Sequence, residues 1–102
     1  MVQKNPIESK LARLHIIVTG RVQGVGFRAF VAQSAGYMGL TGWVRNLSYD
    51  QVEVIAEGPR QILERFAEVV KNGPRASRVE ESNEEWLPAT GEFDNFMVRS
   101  SR

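Results

Sequence analysis

Along Arg13–Gly20 the chain alternates. Leu14, Ile16 and Val18 share one parity, and His15, Ile17 and Thr19 the other. A period of two with β-branched residues predicts a strand, closed by Gly20. At Phe27 the period changes. Phe27, Phe30, Val31, Ser34, Ala35 and Met38 recur at helical spacing, which predicts a helix starting near Phe27 and stopping at Gly39. Alternation returns in "LTGWVRN" and "QVEVIAEG", with "LSYD" between them as a turn, so these segments predict a hairpin. Val52, Val54 and Ala56 are its expected inward face, with Glu53 and Glu57 outward. "GPRQILERFAEVVKNGP" reads as a second helix. Pro59 suits its first position and Asn72, Gly73 and Pro74 end it. Ile62, Leu63, Phe66, Val69 and Val70 form its apolar stripe, while Glu64, Arg65, Glu68 and Lys71 are expected in solvent. An extended segment follows from about Ser77 to Leu87, and "FDNFMVRS" adds a short terminal strand.

The order is therefore β-α-β-β-α-β plus one short strand. Two helices cannot cover both faces of such a sheet. The expected class is α+β: a ferredoxin-like two-layer sandwich, an antiparallel sheet with two helices on one face. Residues 1–12 read as a flexible polar arm, and 13–102 as a single domain.

Composition narrows the chemistry. At 102 residues, with 42% hydrophobic and 25% charged residues, the chain can bury one modest core. The net charge is +1, without a basic stripe, so nucleic acid is not expected as a partner. There is no cysteine, which removes disulfides, thiol nucleophiles and thiolate metal sites. The single histidine, His15, leaves no imidazole cluster for a metal. Residues 1–13 lack the apolar run of a secretory signal, and no segment is long enough to span a membrane. A soluble, cytoplasmic, monomeric protein is the expectation, and the formal glycosylation sequon "NLS" at Asn46 is set aside with it.

One stretch breaks local rules. "VTGRVQGVGFRAF" carries Gly20, Gly24 and Gly26 just before a helix and places Arg28 in its first turn. Glycines there let backbone N–H groups converge on an anion, but they also serve a plain tight turn. A cation in the first turn opposes the helix dipole. A bound phosphate would reconcile the two, since it takes backbone amides and a guanidinium fork together; a salt bridge to a nearby glutamate is the simpler alternative for Arg28. "GVGFRA" matches the dinucleotide fingerprint formally, yet a hairpin follows where a parallel crossover is required. The Lys-Ser/Thr pair of a Walker loop is missing. "QGVGFRAF" partly matches an RNA-recognition strand motif, but it leads into a helix and has Val25 where an aromatic is needed. Asn46 closes "GWVRN" at the mouth of the hairpin, where asparagine is also a common turn former.

"GRVQGVGFR", from Gly20 to Arg28, resembles the signature of the acylphosphatase family, and "GLTGWVRNLSYDQVEVIAEGP", from Gly39 to Pro59, is similar to its second block. The likeness extends over about Leu14 to Arg99. It implies hydrolysis of acyl phosphates to a carboxylate and inorganic phosphate, with no metal or cofactor. It implies that the backbone amides of Gln23, Gly24, Val25, Gly26, Phe27 and Arg28 surround the phosphate, that the Arg28 guanidinium holds it, and that Asn46 positions the attacking water. Inorganic phosphate is then both product and expected competitive inhibitor. One departure stands out: the family often has an Asp-Gly-type turn after the asparagine, and "LSYDQV" has no glycine, which asks Asp50 to adopt the left-handed conformation. Trp43, Trp86, Phe93 and Phe96 are expected in core or rim packing. From another class, a nonenzymatic module of the same fold binding RNA or a regulatory anion remains open. So does the acylphosphatase-like domain of a larger carbamoyl-transfer maturation protein.

Overall fold

A computed structural model describes residues 10–100. Its strands are β1 (Leu11–Arg21), β2 (Thr41–Ser48), β3 (Gln51–Pro59), β4 (Arg78–Pro88) and β5 (Phe96–Val98), and its helices are α1 (Phe27–Tyr37) and α2 (Arg60–Asn72). They form one sheet in the order β4-β1-β3-β2-β5. β1 pairs antiparallel with both β3 and β4, and β2 pairs antiparallel with β3. β5 runs parallel to β2, so the sheet is mixed where an antiparallel one was expected. Both helices lie on one face: α1 over β2 and β5, α2 over β1, β3 and β4.

The parity predicted from sequence sets which face is dry. Leu14, Ile16 and Val18 of β1, Val44 of β2, and Val52, Val54 and Ala56 of β3 are buried under the helices. From α1 they meet Phe27, Val31 and Ala35, and from α2 Leu63, Phe66, Ala67 and Val70. Burying a side chain such as Phe27 or Phe66 contributes about 1.5–3 kcal/mol each. Phe66 also meets Phe96 edge-on at 6.2 Å, which ties α2 to the terminal strand.

Four details differ from expectation. Most of the expected arm, residues 1–9, lies outside the described residues, but Leu11 and Ala12 already belong to β1, opposite Pro59 and Gly58. Pro59 caps α2 rather than opening it; its φ of −61° suits either position. No described residue other than glycine has a positive φ, so Asp50 is not left-handed. The ladder slips instead between Asn46 and Ser48, so that Leu47 bulges and the hairpin closes at Ser48–Gln51. Finally, Glu57 points away from the helices as its parity requires, yet is only 5% exposed. The segment after β4 folds over it: the N–H groups of Thr90 and Gly91 donate to its carboxylate at 2.8 and 2.9 Å, and Arg13 Nε at 2.7 Å.

Candidate active site

The loop between β1 and α1 begins where β1 loses its regular pairing with β4, between Thr19 and Gly20. A Cβ at Gly20 would strike the Arg78 carbonyl oxygen of the neighbouring strand. Gly24 and Gly26 have φ of +71° and +76°, a conformation that side-chain-bearing residues seldom adopt. Gly26 caps α1 with no side-chain hydrogen bond and no acid in the first turn. Phe30 N–H is the first to donate back, to Gly26 O at 3.0 Å. The amides from Gln23 to Ala29 therefore donate to no backbone carbonyl among the described residues. A helix start normally fills such donors with a capping side chain or water. Here no side chain caps them, and they lie at the positive end of the helix dipole.

Arg28 follows in that turn and is partly buried. Its guanidinium Nη1 donates to the Arg99 carbonyl oxygen at 3.2 Å. No carboxylate among the described residues pairs with it, so the salt bridge weighed as an alternative does not form with any of them. Asn46 lies on the same face of β2 as Gly42 and Val44, four and two residues before it. That face is the one α1 covers, so the amide is directed toward the N-terminal end of α1. Asn46, Gln23, Gly24, Gly26, Phe27 and Arg28 line a single cleft of about 280 Å³. Of the residues expected around the phosphate, Val25 alone is absent from the lining; it packs on the core.

Three lining residues were not legible in the sequence. Val22 and Ala29 flank the loop, and Val98 of β5 supplies the opposite apolar wall. Nothing in "FDNFMVRS" says that its strand docks parallel to β2, which is what carries Val98 there. Chemically, the cleft is lined by a loop whose amides have no backbone acceptor, by one cation and by one neutral amide side chain, with apolar walls. It suits a tetrahedral anion held against a polar group that can both donate and accept.

His15 lies on the opposite face of the sheet. Its Nε2 meets Glu53 Oε2 at 2.7 Å, and Arg45 Nη2 meets Glu53 Oε1 at 2.7 Å. Burial pushes the Glu53 carboxyl up, but hydrogen bonds from His15 and Arg45 outweigh it and hold the group below the usual carboxylate range. That network takes no part in lining the cleft. Trp43 is on the same outer face, with the guanidinium groups of Arg45 and Arg99 at 4.9 and 5.1 Å from its ring centroid. Among the described residues no group of His, Cys, Asp and Glu is placed to hold a metal ion, and no helix is long and apolar enough to cross a membrane.

The acylphosphatase family model matches residues 14–98. The acylphosphatase of Salinibacter ruber is 47% identical over 87 residues, 85% of this chain and 92% of that one. Among solved structures, acylphosphatase from Bacillus subtilis superposes with a TM-score of 0.82 at 41% identity, over 86% of this chain and 98% of the other. An acylphosphatase from Coxiella burnetii superposes with a TM-score of 0.83 at 37% identity, over 97% and 100%.

Proposed function

The chain belongs to the acylphosphatase family, and from that premise we propose how it hydrolyses acyl phosphates. The phosphate of the substrate sits at the N-terminal end of α1. Amides of the Gln23–Arg28 loop and the Arg28 guanidinium share its oxygens. Phosphoryl transfer asks mainly for positioning and for neutralising charge on the equatorial oxygens, and an arginine with converging amides supplies both without a metal. The Asn46 side chain orients a water in line with the carboxyl–phosphate bond, accepting from the water through Oδ1. Water oxygen bonds to phosphorus as the bond to the acyl oxygen breaks. The carboxylate leaves with that electron pair, and a phosphate oxygen takes the water proton. A carboxylate is a good leaving group, so no strong general acid is required, consistent with a cleft lined by neither histidine nor carboxylate.

The observation that carries this reading is that Arg28 and Asn46, eighteen positions apart and on different elements, line one cleft with the unpaired loop amides. Purified protein is expected to hydrolyse benzoyl phosphate in the presence of a chelator, with inorganic phosphate competing. Arg28→Ala and Asn46→Ala should each nearly abolish turnover while circular dichroism stays that of the wild type. Full activity in either variant would sink the role given to that residue.

A further inference from the structure

We propose that the Gln23 side chain is a positioning residue that sets the distance between the phosphate cradle and Asn46. The proposal rests on the roles given above to the loop and to Asn46. Those two parts belong to different elements, and sheet pairing alone does not fix their spacing. The β2–β3 ladder slips immediately after Asn46, between Asn46 and Ser48, so the strand loses a regular rung where the asparagine must be held. Gln23 stands across this gap. Its Nε2 donates to the Ser48 carbonyl oxygen and, at 3.0 Å, to that of Gln51. These two carbonyls flank the hairpin turn, so a single amide nitrogen uses both of its protons to clasp it. Two other ties act nearby. Gly20 N–H donates to the Asp50 carbonyl oxygen at 2.9 Å, and Gln51 Nε2 to Thr19 Oγ1 at 3.2 Å. Both join the hairpin to the end of β1. Among the described residues, only Gln23 makes a hydrogen bond that joins it to the cradle itself.

The geometry also says why glutamine. Two carbonyl acceptors require two donors at one atom on an uncharged side chain of this length. Glutamate would set a carboxylate against two carbonyl oxygens. Methionine keeps the shape and loses both hydrogen bonds.

If the clasp sets spacing, Gln23→Met should leave phosphate binding intact and lower the rate of water attack. A misplacement on the scale of an ångström costs on the order of a hundredfold in rate. Benzoyl phosphate hydrolysis by Gln23→Met, assayed well below its unfolding midpoint, should show kcat lowered tenfold or more. KM and the inhibition constant of inorganic phosphate should stay within about twofold. Combined with Asn46→Ala, the substitution should add little further loss, because the residue it positions is gone. A kcat like that of the wild type would overturn the proposal. So would a phosphate inhibition constant that rises as kcat falls, which would make Gln23 part of the cradle, or losses in the double variant that multiply. A wild type without hydrolysis, or an Asn46→Ala variant with full turnover, would instead bring down the underlying roles.

Discussion

Arg28 is a cation placed where a helix least favours one, and Gly26 before it gives the helix start no side chain with which to cap itself. Both facts could be read in the sequence, because each violates a local rule whose cost is known. Asn46 was legible only through its family resemblance, since an asparagine at a hairpin mouth is ordinary turn chemistry. The clasp by the Gln23 side chain was not legible at all. Its partners are backbone carbonyls, which every residue carries, so no pattern of side chains announces them. At this scale Gly26→Ala is informative. An added Cβ would meet nothing within 4 Å, so the only structural cost is the left-handed backbone at φ +76°. Denaturant unfolding should show a loss of about 1–2 kcal/mol. Turnover should fall by more than the folded fraction explains, because the amides proposed to face the phosphate turn with that φ.

Among the elements, each helix and strand was readable, and the irregular segment joining the last two strands was not. Both helices and the first three strands follow their hydrophobic repeats to within a few residues, and the extended segment read from about Ser77 to Leu87 is β4. The segment between β4 and β5 has no repeat, and its consequence, the burial of Glu57, was missed. Burial alone would raise the Glu57 carboxyl. The Thr90 and Gly91 amides, Arg13 and the Thr90 hydroxyl outweigh it and hold the group below the ordinary carboxylate range. A depressed folded value means stability that is present above the unfolded value, near pH 4, and lost as pH falls through the folded one. Glu57→Gln should therefore be less stable than wild type at pH 7. The gap should close progressively below about pH 4, as measured by urea unfolding across that range. A gap that stays constant with pH would mean that the charge on Glu57 contributes nothing.

On the scale of the whole molecule, the sheet has two unlike edges. β4 is long and carries Glu80, Glu81, Glu84 and Glu85, which discourage another strand from pairing with it. We expect sedimentation of a monomer at micromolar concentration, and self-association when Glu81 and Glu85 are replaced by valine. β5 is short, only three residues, and is joined to the sheet by three residue pairs and by the Gly42 and Arg99 amides at its two ends. Met97 and Val98 remain about half exposed, at 51% and 49%. Yet this strand supplies one wall of the cleft, and the carbonyl that receives Arg28 follows directly after it. Local opening is cheapest where few apolar contacts are lost. Warming should thus fray β5 while the valine and phenylalanine core is still intact. Inactivation should precede melting: turnover is expected to decline several degrees below the midpoint seen by circular dichroism, and to return in full on cooling.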